Sequence, residues 1–195
     1  MIDSRTRYRQ YLHCDLAAYE LAPWRHAYRL THRQANWHRL LRRAEYYANT
    51  SAGGPLNRLL ATWTLYRYLA FSERLGYTVP LNVFGPGLSI AHKGTVVINP
   101  DVRAGRNCRL HPDCTIGDRG GASPVLGDEV WVAAGARILG AITIGDQAAI
   151  GANAVVLQDV AAHTTVAGIP ARVVSQHGSI GMLRGVDEAA ALGQD

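Results

Sequence analysis

Two hydrophobic rhythms divide the chain. Between residues 5 and 75, apolar side chains return at helical spacing. Tyr8, Leu12, Leu16 and Tyr19 form one series, and Trp37, Leu40, Leu41 and Tyr47 a second. A third helix is expected from Pro55, a favourable first-turn residue, to Leu75. The segment Ser51-Ala-Gly-Gly-Pro55 separates the second and third series. Gly76, Pro80, Pro86 and Gly87 then end helical periodicity.

From Ile98 the period becomes six. Positions 98, 104, 110 and 116 are Ile, Ala, Leu and Ile, and positions 126, 132, 138, 144, 150 and 156 are Leu, Val, Ile, Ile, Ile and Val. A second track lies four residues after the first: Val102, Cys108, Cys114, Val130, Ala136, Ile142, Ala148, Ala154 and Val160, all apolar and mostly small. Directly after the first track come Gly105, Gly117, Gly127, Ala133, Gly145 and Gly151. A helix does not generate a period of six, and a flat sheet does not place glycine so regularly. The pattern predicts a triangular solenoid. Six residues make one short strand and one corner, and three such units make a coil of ~18 residues whose aliphatic side chains stack coil upon coil. Glycine or alanine at the corner permits a tight turn.

The register breaks between Ile116 and Leu126, where Asp118-Arg-Gly-Gly-Ala-Ser-Pro124 is expected to leave the solenoid as a loop. A similar gap between Val156 and Val166 is closed through Ala161-Ala-His-Thr164. The expected fold is therefore mainly β: a parallel β-helix over 80–174, preceded by an α-helical region over 1–79 and followed by a tail over 175–195.

Composition narrows the functional classes. The 195 residues suit one domain with an appendage. No apolar run approaches the ~20 residues of a membrane span, so no integral membrane segment is expected. The polar N-terminus MIDSRTRYRQYLHCD lacks the apolar stretch of a secretory signal, which predicts a cytoplasmic protein. Cys14, Cys108 and Cys114 show no CxxC spacing and read as reduced, packed thiols. Residues 1–79 hold 12 Arg against five acids, and the remainder is slightly acidic. This basic face is expected to be a solvated helix surface. Nothing resembles an aromatic-basic β-surface or a zinc module, so no nucleic-acid partner is expected.

Among chemistry-bearing residues, His92 stands out. Counting back six from Ile98 places it where the repeat would put an aliphatic residue. Imidazole is the side chain whose ordinary titration range brackets neutral pH, which suits a general base. His111 lies 19 residues later, close to one coil period, at a corner position that elsewhere holds glycine or alanine, and a supporting role at the substrate is expected. His163 falls in the coil-closing turn. His13, His26, His32 and His38 belong to the basic helical region and are expected to reach solvent. Gly87-Leu-Ser-Ile-Ala91 is not a nucleophile elbow, because its last glycine is missing and no helix follows. Gly85-Pro-Gly87 lacks the third glycine of a dinucleotide fingerprint. No closely spaced histidine pair in the β-helix suggests zinc, so no metal site is expected.

Four segments carry a resemblance: GPGLSIAHKGTVVI at 85–98, GARILG at 135–140, IGANAVVL at 150–157 and HTTVAGIPAR at 163–172. They resemble the hexapeptide-repeat, left-handed β-helix acyltransferases. Within these they are similar to serine acetyltransferases, including relatives associated with capsule and exopolysaccharide O-acetylation. The resemblance implies acetyl-CoA as co-substrate, His92 as catalytic base, and Ala134, Ala152, Gly168 and Arg172 along the coenzyme. It implies a small-molecule hydroxyl acceptor met by His111 and Arg119, and a homotrimer or a dimer of trimers. The implied activity is O-acetylation of L-serine. A sugar hydroxyl of a polysaccharide precursor is an alternative acceptor, and a non-catalytic β-helix scaffold or binding module is an alternative of another class. The chain departs from the serine enzymes at three places. Ala91 stands where an Asp usually precedes the catalytic His. The extruded loop has Arg119 but no adjacent His. The position of the Asp that orients the catalytic His falls on Tyr77.

Overall fold

The structure is a computed structural model that describes residues 1–187. Its N-terminal part is helical: α1 (Arg5–Ala17), α2 (Tyr28–Thr31), α3 (Arg33–Asn49) and α4 (Pro55–Leu75). The side chain of Ser4 caps α1 by accepting from the Arg7 N–H, Pro55 opens α4, and Gly76 closes α4 in the left-handed conformation. Trp37, on α3, is fully buried between Tyr68 and Tyr77 and donates its indole N–H to Ser72. This bond satisfies the one polar atom of a large buried ring. Among the described residues no helix is long and apolar enough to cross a membrane.

From Tyr77 the chain winds as a parallel β-helix with three sheets. The first holds Tyr77–Thr78, Val96–Ile98, Cys114–Gly117, Arg137–Leu139 and Val155–Val156. The second holds Arg103–Ala104, Val125–Leu126 and Thr143–Ile144, extended by bridges at Phe84 and Val160. The third runs from Ser89–Ile90 through Arg109–Leu110, Trp131–Val132 and Ala149–Ile150 to Thr165–Ala167, where Arg172–Ser175 adds an antiparallel edge. Ile98, Ile116, Ile138 and Val156 lie in register in the first sheet, and Leu110, Val132 and Ile150 in the third. Nearly every residue of the two apolar tracks is buried. Cys108 and Cys114 lie on the small-residue track, where burial pushes their thiols up to about 12. They pack as small apolar side chains.

Glycine is required where consecutive coils touch. At the corner between the second and third sheets, Gly85, Gly105, Gly127 and Gly145 stack on one another, and a Cβ on Gly145 would lie 2.4 Å from the Ala162 nitrogen. The loop expected after Ile116 leaves the corner between the first and second sheets, with residues 118–122 exposed. His163 is exposed at the corner between the second and third sheets. The C-terminal segment folds back along that same corner. Ser179 bonds to Gln147 and Glu129, the Val186 carbonyl accepts from Asn107, and Arg184 pairs with Glu20. Residues 188–195 of the expected tail lie outside the described residues.

The helical region seals the open first coil with polar groups. Strand edges expose unpaired backbone groups, which a fold must cover. Arg42 on α3 donates to the carbonyls of Phe84 and Gly85. The Asp15 carboxylate on α1 accepts from the N–H groups of Gly87 and Leu88 and from Arg42. The Tyr19 hydroxyl accepts from the Ile90 N–H and donates to the Ile90 carbonyl, 2.6 and 2.8 Å away. Glu45 completes the cluster by accepting from Arg42 and from the Asn82 N–H. Burial alone would push the Asp15 carboxyl up, but Arg42 and His38 beside it hold it below the usual carboxylate range.

His38 corrects a sequence expectation. It does not reach solvent; it is fully buried, with Nδ1 3.2 Å from Asp15 and Nε2 3.1 Å from the Tyr19 hydroxyl. The reason is the capping cluster itself, which draws polar side chains of α1 and α3 under the first coil. His13 and His26 are exposed as expected, and His32 is half-buried.

Candidate active site

One corner of the triangular prism gathers most of the residues that the sequence singles out. After the inward residues Ile90, Leu110, Val132, Ile150 and Val166, the chain turns from the third sheet to the first. The next residues in each coil are Ala91, His111, Ala133, Gly151 and Ala167, and after them come His92, Pro112, Ala134, Ala152 and Gly168. Backbone bonds hold these turns in a stack. The Gly135 N–H donates to Pro112, Asn153 to Ala134 and Val155 to Gly168, at 2.9–3.1 Å. The corner is thus a ridge with His92 at its lower end and Gly168 at its upper end.

His92 occupies this ridge for a reason other than the six-residue count. The inward slot belongs to Ile90, which pairs with Leu110 twenty residues later. Residues 91–95 lengthen the first coil and carry His92 out to the corner, where it is exposed. Its backbone is anchored from inside the fold, because the Tyr77 hydroxyl donates to the His92 carbonyl at 2.8 Å. Burial pushes the Tyr77 phenol well above its ordinary range, so it remains a donor. Its ring stands edge-on to Trp37. The residue at the position of the expected orienting Asp therefore fixes the turn through the backbone.

His111 is the one large side chain in a column otherwise made of Ala and Gly. It is half-buried, its ring centroid lies 5.0 Å from that of Trp131, and its Nε2 is buried without a hydrogen-bond partner among the described residues. Burial depresses its pKa, followed by repulsion from Arg109 and from His92. The last cause places the two imidazoles in each other's field. A buried ring nitrogen with no partner is costly in a finished structure, and a bound polar group relieves it.

Above the histidines the ridge is bare. Ala134, Ala152 and Gly168 are exposed and small, so at these three positions no side chain is longer than a methyl group. At the top, Arg172 lies opposite Ala167 in the antiparallel edge strand. It is exposed, bonds the neighbouring Ala171 carbonyl and has no ion pair among the described residues. Arg119 is elsewhere, on the extruded loop beside Gly140, one corner away from the ridge. Within one chain the fold brings His92, His111, Ala134, Ala152, Gly168 and Arg172 onto one side and leaves Arg119 apart. Sequence reasoning missed Trp131, which one coil later stands in register with Arg109. Counting one coil on from Arg109 would have found it.

The chain matches a family model, the bacterial transferase hexapeptide (six repeats), over residues 123–158. It is 44% identical over 98 residues to a serine acetyltransferase from Staphylococcus xylosus, a match covering 48% of this chain and 45% of that one. The chain thus spans less than half the length of that relative. Among solved structures, a serine acetyltransferase in complex with CoA superposes with a TM-score of 0.69 at 24% identity, covering 87% of this chain and 71% of that one. The Neisseria gonorrhoeae serine acetyltransferase in complex with serine superposes with a TM-score of 0.67 at 29% identity, covering 86% and 69%.

Proposed function

We propose that the chain is an acetyl-CoA-dependent O-acetyltransferase of the serine type, acting on the hydroxyl of L-serine. The observation that carries this reading is the ridge itself: an exposed imidazole at one end, the small residues Ala134, Ala152 and Gly168 above it, and at the other end an exposed guanidinium with no ion pair among the described residues. Similarity to serine acetyltransferases, one solved with CoA and one with serine, supports the choice of both substrates.

Acetyl-CoA supplies the thioester. Its pantetheine arm lies along Ala134, Ala152 and Gly168, where the missing side chains let it approach the backbone, and Arg172 meets a phosphate. His92 takes the proton of the serine hydroxyl as the oxygen attacks the thioester carbonyl. As the carbon–sulfur bond breaks, His92 returns the proton to the departing sulfur. No covalent acyl-enzyme is needed when both substrates are bound together. His111, kept neutral by its surroundings, offers its partnerless Nε2 to the acceptor, and Trp131 fixes the ring.

Arg119 stands beside Gly140, one corner away from the ridge of its own chain. We therefore assign it to the acceptor site of an adjacent subunit in a homotrimer working in the cytoplasm. A thiol-release assay across L-serine, L-homoserine and a panel of sugars tests the reading. L-Serine is expected to give the highest kcat/KM. Preference for a sugar would overturn the acceptor, and no thiol release with any acceptor would favour a non-catalytic scaffold.

A further inference from the structure

The helical region holds a second concavity that the acetyl-transfer reading does not use. It has a volume of about 370 Å³ and lies between α1, the segment around Trp24 and α3. That size falls within the ~300–1,000 Å³ typical of small-molecule sites. Every lining residue precedes Tyr77, so the concavity is separate from the ridge bearing His92.

Its chemistry is one-sided. Arg5, Arg9, Arg29, Arg39 and Arg43 line it, and no acid does. None of these five arginines has an ion pair among the described residues. Four acids of the helical region are engaged elsewhere: Asp15 and Glu45 with Arg42, Asp3 with Arg7, and Glu20 with Arg184. The basic face is therefore more than the solvated helix surface expected from charge alone.

Arg39 is the anomaly. It is only 5% exposed, yet its partner is the neutral Asn36 amide oxygen, which accepts from both Nε and Nη2. Burial and repulsion from Arg29, Arg43 and Arg67 pull its pKa down to about 10. A buried cation without an anion is expensive, and neighbouring cations raise the cost. Aromatic faces offset part of it. Arg39 sits over Trp24 at 5.4 Å, and Arg43 over both Tyr47 and Trp63 at about 5.5 Å. Those stacks also hold the guanidinium groups in fixed directions before any ligand arrives.

We propose that this pocket binds a small organic anion carrying several negative charges and one flat ring, of the nucleoside diphosphate class. The charges match the acid-free arginine wall, where guanidinium forks suit phosphate oxygens. The ring matches the Tyr8, Trp24 and Tyr47 surfaces, on which a base stacks. A second copy of the same face is disfavoured as occupant by like charge, and the concave shape favours a small ligand over a membrane or a nucleic acid strand.

The test uses the full chain with UDP, uridine and inorganic phosphate as probes, followed by calorimetry. UDP is expected to bind at least tenfold more tightly than uridine or phosphate, and to weaken as salt rises. R39Q is expected to lower UDP affinity at least tenfold. The double variant R29Q/R43Q removes charges nearer the surface, so it tests the same prediction without disturbing a buried residue. Unchanged UDP affinity in R29Q/R43Q would overturn the proposal. So would UDP binding no tighter than phosphate, or binding of heparin or anionic vesicles without binding of UDP.

Discussion

His92→Ala lowers kcat/KM for acetyl transfer to L-serine by about 10²–10⁴-fold, the contribution of a well-placed general base. The effect should fall on kcat, because the proposed coenzyme contacts lie higher on the ridge at Ala134, Ala152, Gly168 and Arg172. CoA affinity should hardly change. Stability should hardly change either, since the ring is exposed and hydrogen-bonds none of the described residues. His92→Gln separates proton transfer from hydrogen bonding: an amide fills similar space but cannot carry the proton, so it should be nearly as inactive as alanine. Steady-state kinetics with CoA titrated calorimetrically distinguishes these effects. A variant within threefold of the parent enzyme would remove His92 from the chemistry.

Arg42→Met costs about 3–5 kcal/mol of folding stability, the range for breaking a buried ion pair from one side. The substitution keeps most of the side-chain volume, so little of the loss comes from a cavity. What remains is two carboxylates, Asp15 and Glu45, buried without their cation, and two carbonyls, Phe84 and Gly85, without their donor. Denaturant unfolding should show the loss. Acid should act on the same cluster. Asp15 has its pKa depressed in the fold, so its contribution is fully present above the unfolded value near ~3.9 and is lost as pH falls below that toward the folded one. A loss under about 1 kcal/mol in Arg42→Met, the scale of an exposed ion pair, would mean that the cluster does not hold the helices to the first coil.

The solenoid was legible because its inward residues repeat within a few positions of one another. Ile116, Ile138 and Val156 need only a period to be recognised as one column. The α-helices were legible for a similar reason, down to Pro55 as the first residue of α4. What misled the count was the first coil. It runs twenty residues from Ile90 to Leu110, so a strict six-residue step from Ile98 lands on His92, which the extra corner residues push outward. The count reached His92 through the wrong slot, because the inward position belongs to Ile90. His38 was misread because its partners are distant in sequence: Asp15 is 23 residues earlier and Tyr19 is 19 residues earlier. No local pattern marks a histidine on an arginine-rich helix as buried. The same holds for Arg39. Composition showed the excess of positive charge, but only the packing of α1 against α3 makes a pocket of it.

One corner of the β-helix, from His92 to Arg172, is the proposed acetyl-transfer site. A crystal structure of the protein with CoA tests it most directly. The pantetheine arm is expected along Ala134 and Ala152, with a phosphate at Arg172 and the sulfur close enough to His92 for one acceptor hydroxyl to bridge them, the attacking oxygen ~3–3.5 Å from the thioester carbon. Coenzyme bound along either of the other two corners, or with its sulfur out of reach of His92 of every subunit, would contradict it.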